Sequence, residues 1–399
     1  MSPKASNSSR PDEEGSQGLL ALLPPINESR SADYIAPKRL RTGPEYLGRH
    51  EHNIKLRLDT TTTKTGDWAI SFRTQRKRAL SKCSAISARI AAGTWRQAAN
   101  STSKKDISSV HEKSKGGTVL GVGAFETVRI ASRTKPGTTE KEQVAVKQFR
   151  RRSDKTSEKY HKEALAEFSI AQALNHHNIV RTFELIEDEQ KDLFQVMEFC
   201  SGGDLQTLLL SAYKLEEQEA DCFFKQLMNG VEYMHSMGVA HCDLKPGNIL
   251  FTQKGVLKIT DFGCSECFRL AWEDDVHLVT GRRGSTPFIA PEEYTDESFD
   301  GRAADVWACG MIFALMRTGE LFWITAKEED DKEYARYIRD RRSERGFDNL
   351  EALEPEQCRL TVYCMLDPVP LRRITSGQVL KSKWFREIEL CAAARHPSN

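Results

Sequence analysis

The sequence has no apolar run near the ~18–20 residues that a transmembrane helix requires. Its first residues, Met1 to Ser8, contain no apolar core of the kind found in signal peptides. Net charge is nearly absent, because 58 Lys and Arg face 57 Asp and Glu, and no repeat period is visible. From these absences we expect neither a membrane-spanning, secreted or collagen-like protein nor nucleic acid as a partner.

The cysteines also lack a pattern. All ten are scattered between Cys83 and Cys391, without the dense spacing of a disulfide scaffold. Only Cys264 and Cys267 form a C-x-x-C pair, and no second pair or histidine array completes a zinc-finger pattern. We therefore expect free thiols in the reducing environment of the cytoplasm.

Charge is distributed unevenly along the chain. Residues 1–110 carry 19 Lys and Arg against 10 Asp and Glu, whereas the remainder carries 39 against 47. This first part is rich in Ser, Thr, Asn and Pro, a composition that buries too little apolar surface to offset its ordering entropy. We interpret residues 1–115 as a basic, mostly disordered tail. Within it, 68–96 is either a solvated basic stretch, the favoured interpretation, or an amphipathic helix that contacts a membrane or partner.

From about residue 116 the pattern indicates a folded domain. Short β-rich runs come first, and apolar residues recur at helical spacing after residue 203. The strand candidates are 119–120, 128–130, 144–146, 179–186 and 193–199. A small β-rich lobe followed by a larger helical lobe is an α+β arrangement. We expect an N-lobe over about 116–200, a C-lobe over about 201–388 and a C-terminal tail over 389–399.

Two features of the N-lobe are typical of phosphate binding. Gly121 and Gly123 lie between two strand candidates, where glycines let backbone N–H groups approach phosphate oxygens closely. A plain hairpin turn explains such a pair equally well. Further on, Lys147 ends an apolar strand, and burying its ammonium is costly unless an anion meets it. Glu167 on the following helix is the expected anion, with Glu163 as the alternative.

The most specific stretch runs from His241 to Leu250. It contains the carboxylate of Asp243, the ammonium of Lys245 and the amide of Asn248, and Asp261 begins an Asp-Phe-Gly triplet further on. Phosphoryl transfer needs one carboxylate near a nucleophile and an ammonium near the transferred group. It also needs oxygen ligands for a divalent metal such as Mg²⁺.

With Ala290-Pro291-Glu292 following in order, these motifs resemble those of the eukaryotic protein kinases over about residues 116–388. The resemblance implies a bilobal fold that transfers the γ-phosphate of ATP to protein hydroxyls with Mg²⁺ as cofactor. It implies that Asp243 orients the substrate hydroxyl and that Lys245 steadies the γ-phosphate. Asn248 and Asp261 would bind Mg²⁺.

The same resemblance implies an ATP site between the lobes. Lys147 would hold the α- and β-phosphates, Met197 would be the gatekeeper, and Asp204 would lie near the ribose. The residues implied to contact the nucleotide are Gly121, Val122, Gly123, Val128, Ala145, Lys147, Glu167, Met197, Glu198, Cys200, Asp204 and Leu250. Among them, Val128, Ala145 and Leu250 would enclose the adenine ring, and Glu198 and Cys200 would offer backbone groups.

Ser285, five residues before Ala290, stands where serine/threonine kinases have a hydroxyl that bridges Asp243 and Lys245. Specificity for Ser or Thr in protein substrates is therefore implied. The amino-acid sequence of residues 239–246 and 257–263 further resembles that of fungal kinases of the halotolerance and nitrogen-permease-reactivator type. That family regulates plasma-membrane transporters for ions and nutrients, which implies a cytoplasmic enzyme that is either free in the cytoplasm or peripheral to the plasma membrane.

Two departures from the kinase pattern leave an alternative open. Cys242 stands where most kinases have an arginine that binds a phosphate on the activation segment. Our hypothesis is that activity depends little on phosphorylation between residues 261 and 292. Glu126 replaces the third loop glycine and brings an anion near the phosphates. A pseudokinase scaffold is thus the alternative function, and a redox switch at Cys242, Cys264 and Cys267 is less favoured than inert buried thiols.

Overall fold

The structure is a computed structural model that describes residues 40–42, 50–54, 118–122, 126–135, 137–151, 156–270 and 272–395. In these residues a β-rich lobe precedes a larger helical lobe, so the α+β arrangement expected from the sequence is confirmed. No helix within the same ranges is long and apolar enough to cross a membrane. Gly123 and the basic stretch 68–96 lie outside the described residues.

A short antiparallel hairpin is the first described element. It pairs β1 (Leu40–Thr42) with β2 (His50–His52). His50, His52 and Ile54 are buried, and the Ile54 backbone N–H donates to the Gln253 carbonyl at 2.9 Å. This hairpin lies inside the segment whose composition indicates mostly disorder. Composition averages over the whole tail and cannot detect a few residues that are ordered by contacts with a distant part of the chain.

Five antiparallel strands build the first lobe. They are β3 (Val119–Val122), β4 (Glu126–Thr134), β5 (Lys141–Phe149), β6 (Thr182–Glu187) and β7 (Leu193–Glu198). Their order in the sheet is β3-β4-β5-β7-β6, and helix α1 (Ser157–Ala173) precedes β6. The sequence places the start of β6 near Ile179, but Ile179 and Val180 pair instead with Ile259 of the second lobe.

Short strands and nine helices make up the described part of the second lobe. The strands are β8 (Gly203–Asp204), β9 (Val239–Ala240), β10 (Ile249–Phe251), β11 (Leu257–Ile259), β12 (Glu266–Cys267), β13 (Val279–Thr280) and β14 (Ser298–Phe299). The helices are α2 (Leu205–Ala212), α3 (Glu217–Ser236), α4 (Glu292–Thr295), α5 (Gly301–Thr318), α6 (Lys332–Asp340), α7 (Asp348–Glu351), α8 (Glu356–Met365), α9 (Ser376–Lys381) and α10 (Lys383–Glu387).

Helices α3 and α5 form the centre of the second lobe's core. Apolar residues recur at helical spacing on α3, and Phe223, Phe224, Leu227 and Val231 are fully buried. Phe224 packs against Phe313 of α5 with ring centroids 4.4 Å apart. Each such side chain contributes roughly 1.5–3 kcal/mol by leaving water, so this pair of helices is a rigid base for the loops above it.

Buried polar contacts connect this base to residues 241–248, the segment that resembles the catalytic loop of kinases. The Asp305 carboxylate on α5 accepts the backbone N–H groups of His241 and Cys242, both at 2.8 Å. The Arg373 guanidinium binds both oxygens of Glu292 at 2.6 and 2.8 Å, which fixes the start of α4. Paired ions of this geometry hold a segment in place because the loss of either partner leaves a buried charge.

Candidate active site

Three carboxylates surround the ammonium group of Lys147 on β5. Its Nζ lies 2.6 Å from Glu167 Oε1, 2.8 Å from Asp261 Oδ1 and 2.5 Å from Glu126 Oε2. Burial lowers the pKa of Lys147, but attraction to these three anions outweighs it, and the pKa lies well above its usual value. The structure therefore brings Glu167, rather than Glu163, to Lys147, which lies two residues before the end of β5 and not at its end as the sequence indicated.

Glu126 on β4 turns its carboxylate inward, onto the same ammonium group. The sequence showed only that a glutamate replaces the third loop glycine. A phosphate that approaches Lys147 meets an anion already bound there, so Glu126 and phosphate compete for one cation. Gly121, in contrast to Glu126, places no side chain near Lys147. A Cβ added at Gly121 would meet no atom within 4 Å, so there is open space beside β3.

Asp243, Lys245 and Ser285 form a closed hydrogen-bonded triangle. Ser285 Oγ donates to Asp243 Oδ1 at 2.8 Å, and Lys245 Nζ donates to both Asp243 Oδ2 and Ser285 Oγ at 2.8 Å. Asp243 is buried, whereas Lys245 is partly exposed. A carboxylate fixed in this way can orient a hydroxyl group and accept its proton, and the adjacent ammonium can neutralise a developing negative charge.

Asn248 and Asp261 lie beside this triangle and carry side-chain oxygens that could bind a metal ion. Asn248 Nδ2 donates to the Asp243 carbonyl at 2.9 Å, so the amide oxygen of Asn248 points the other way. The Thr260 N–H donates to the Asn248 carbonyl at 3.0 Å, which brings the residue before Asp261 against the catalytic loop. Asp261 itself has a positive φ of 65°. One amide oxygen and one carboxylate are ligand types that Mg²⁺ accepts together with phosphate oxygens.

An apolar cluster lies between the two lobes. Ala145, Met197 and Cys200 are buried in it, and Val128 and Leu250 pack against them from opposite lobes. Such a cluster suits a flat heteroaromatic ring. Leu120 and Val180 also belong to it and were missed by sequence reasoning. Leu120 directly precedes the loop glycine, so its position alone is a usable signal, whereas Val180 is recognisable only once the lobes are packed.

Other implied nucleotide contacts have partners of their own. The Glu198 carboxylate pairs with Lys258 at 2.9 Å, so its backbone is the part left to a ligand. Asp204 Oδ1 accepts the Thr207 N–H at 2.8 Å and caps α2, and β8 places Asp204 opposite Leu250. The side chain of Val122 is mostly exposed.

The activation segment is held by an arginine that sequence reasoning missed. Arg283 pairs with Glu266 at 2.7 Å and donates to the Cys264 carbonyl at 3.0 Å. Arg283 is also electrostatically coupled to the buried Cys242, which replaces the usual arginine. No motif marks Arg283, because its role depends on where the folded segment turns.

The cysteines near this segment are poor candidates for redox chemistry. Burial raises the pKa of Cys242 well above its usual value, with repulsion from Asp305 as a further cause. Burial also raises the pKa of Cys267. Since the thiolate is the reactive form, both shifts favour inert thiols.

Comparisons with known proteins agree with this geometry. Residues 115–385 match the family model described as the protein kinase domain. The serine/threonine-protein kinase hal4 of Schizosaccharomyces pombe is 52% identical over 276 residues, or 69% of this chain and 43% of that protein. The serine/threonine-protein kinase HAL4/SAT4 of Saccharomyces cerevisiae is 50% identical over 299 residues, or 74% of this chain and 49% of that protein. The chain thus spans less than half the length of these curated relatives.

Proposed function

This chain belongs to the protein kinase family, and from that premise we propose that it is a serine/threonine protein kinase that uses ATP and Mg²⁺. The observation that carries the proposal is the 2.8 Å triangle of Asp243, Lys245 and Ser285. A scaffold that only binds partners has no physical need for this triangle beside the Lys147–Glu167 pair. The relatives at 52% and 50% identity are named serine/threonine-protein kinases, which supports the proposed specificity.

In the proposed mechanism Asp243 accepts a hydrogen bond from the substrate hydroxyl and takes its proton as the oxygen attacks. Lys245 and Ser285 hold the Asp243 carboxylate in one orientation, and the exposed end of Lys245 faces the growing charge. When bound, ATP supplies the phosphoryl group and Mg²⁺ neutralises its oxygens. Catalysis of this type rests on positioning and electrostatics rather than on a covalent intermediate.

The residues present fit both cofactors. Asn248 and Asp261 would hold Mg²⁺ through one amide oxygen and one carboxylate, as its ligand preference requires. The apolar cluster that contains Ala145 and Met197 would receive the adenine ring, and Lys147 would bind phosphate oxygens. The remaining implied nucleotide contacts stay predictions.

Phosphorylation of a generic Ser/Thr substrate with radiolabelled ATP tests the activity. We expect the purified chain to transfer phosphate and Asp243→Asn to lower kcat by about 10²–10⁴-fold, because the amide cannot take the proton. Asp330→Asn is the matched control. Asp330 is exposed, and among the described residues its carboxylate pairs only with Lys327, three positions before it. Equal rates for wild type and Asp243→Asn would leave the scaffold as the better interpretation.

We further propose that this kinase regulates plasma-membrane ion or nutrient transporters, and that it acts on them from the cytoplasm at the periphery of the membrane. The motif resemblance to halotolerance kinases supports this, together with the identity to hal4 and HAL4/SAT4. Phosphopeptides from membrane fractions of cells that express wild type or Asp243→Asn test it. Transporter phosphorylation that is the same in both cell lines would contradict the proposal.

A further inference from the structure

A second group of polar side chains lies outside the proposed kinase site. His50 and His52 on β2 meet Cys222 on α3, and potential ligand atoms of all three lie within 4.8 Å of one another. All three residues are buried. Two imidazoles and a thiol are side chains that bind soft and borderline transition metals.

The two histidines are buried without hydrogen bonds. Neither ring nitrogen of His50 or His52 has a hydrogen-bond partner in the part of the chain that the structure describes. Glu219 is a charged neighbour, with Oε1 at 3.8 Å from His52 Nδ1. A buried polar group without a hydrogen bond destabilises the fold, so this site carries a free-energy penalty that a bound ion would remove.

Cys391, close to the end of the described chain, lies beside Cys222 and is the candidate for a fourth ligand. It is buried, and its backbone N–H donates to Cys222 Sγ at 3.4 Å. Cys222 and Cys391 also pack together in one small buried cluster, so the Cys391 side chain lies next to the group.

We propose that His50, His52, Cys222 and Cys391 bind one zinc ion. Two nitrogen and two sulfur ligands are the set of a closed, tetrahedral structural zinc site. Binding releases the thiol protons of Cys222 and Cys391 to solvent, and no redox step is involved. Glu219 would accept the free N–H of His52 and fix its tautomer, as carboxylates beside zinc-bound histidines do.

The four ligands come from three distant parts of the chain, which explains why their spacing shows no zinc motif. Zinc would fasten the hairpin and the C-terminal segment to α3. The hairpin also contacts the turn between β10 and β11: Ile54 bonds to Gln253, and a Cβ on Gly255 would lie only 2.4 Å from the Cβ of His52. Since Asn248 precedes β10 and Asp261 follows β11, the zinc site would brace the turn that joins the two strands, at the opposite end of these strands from the proposed Mg²⁺ ligands.

The metal content of the full chain tests the proposal. Protein purified without chelator should contain about one zinc ion per chain, as measured by inductively coupled plasma mass spectrometry. Replacement by Co²⁺ should give the visible bands of tetrahedral cobalt and a thiolate-to-cobalt charge-transfer band. Cys222→Ser and His52→Ala should each lose most of the metal. Cys358→Ser is the matched control, because Cys358 is another fully buried cysteine on a helix and should retain the zinc.

Several outcomes would overturn the zinc site. One is wild-type protein that contains less than about 0.1 equivalent of metal and gives no cobalt bands after loading. Another is full zinc content in both Cys222→Ser and His52→Ala. A Cys222–Cys391 disulfide in freshly purified, metal-free protein would be a third. If the variants do not fold, the wild-type cobalt spectrum decides, since it requires no substitution.

Discussion

Glu126 is the side chain in the proposed site whose replacement should strengthen ATP binding. Its carboxylate lies 2.5 Å from Lys147 Nζ, where the ATP phosphates would bind. We expect Glu126→Gln to lower the KM for ATP about three- to tenfold with a smaller change in kcat, because a partly exposed ion pair contributes about 1 kcal/mol. Initial rates over a range of ATP concentrations measure this. Glu142→Gln, which breaks only the Arg133 pair on the same sheet, should leave the KM unchanged.

An unchanged or higher KM in Glu126→Gln would show that this carboxylate does not compete with phosphate. The same residue shows the limit of the sequence at this scale. Motif spacing predicted that Lys147 meets Glu167, since both residues have fixed places on a strand and a helix. The direction of the Glu126 side chain depends on charges around it, and those come together only in the folded site.

A buried carboxyl group on α4 gives the protein a defined pH dependence. Burial raises the pKa of Glu293 from 4.5 to about 8. The folded chain thus binds this proton more tightly than the unfolded chain, so the stabilisation is complete below about pH 4.5 and is lost as pH rises through about 8. We expect the free energy of unfolding to fall by about 2–4 kcal/mol between pH 5 and 8 from this residue.

Urea unfolding at both pH values measures this change. Glu293→Gln should flatten the pH dependence, and the exposed Glu297→Gln should retain it. A dependence that is equally steep in Glu293→Gln would contradict the assignment. Asp221, whose pKa burial raises to about 6, adds a smaller change of the same sign in both variants.

At the scale of elements, the activation segment should need no phosphate. Arg283 already binds Glu266 and the Cys264 carbonyl, so the segment carries its own cation beside Cys242. We expect the double variant Ser265→Ala and Thr280→Ala to retain at least about half of the wild-type rate. Arg283→Ala should lose about tenfold or more, because it removes both the 2.7 Å ion pair with Glu266 and the hydrogen bond to the Cys264 carbonyl, which hold the segment in place.

Initial rates with a saturating peptide substrate compare these variants. Arg282→Ala is the control, since this neighbouring arginine is exposed and lies over the Tyr294 ring instead. Loss of activity in the double alanine variant, with the fold intact, would show that a phosphate is required after all. The sequence indicated the missing arginine at Cys242, but its substitute was not visible because Arg283 belongs to no motif.

Across the whole molecule, the sequence predicts those elements that depend on the local pattern of apolar residues and motifs. The five strands of the first lobe overlap the runs that apolar spacing predicted, and the motif order indicated two lobes, whereas the short strands of the second lobe were not predicted. The hairpin that ends at His52 was not predictable, because its burial depends on Cys222 and Phe223, far away along the chain. The ring of His52 lies 4.6 Å from that of Phe223, a contact that no local window contains.

Two truncations measure what this hairpin contributes. A chain that starts at residue 39 keeps the hairpin, and one that starts at residue 56 removes the buried His52 and Ile54. The shorter chain exposes Phe223 and the buried Glu219 on α3, so we expect it to lose about 2–4 kcal/mol of unfolding free energy and a few degrees in Tm. Thermal unfolding with and without chelator separates the two causes. Apolar burial by Ile54 persists in chelator, whereas any stabilisation by metal does not, so equal midpoints for both truncations in both buffers would contradict a stabilising hairpin.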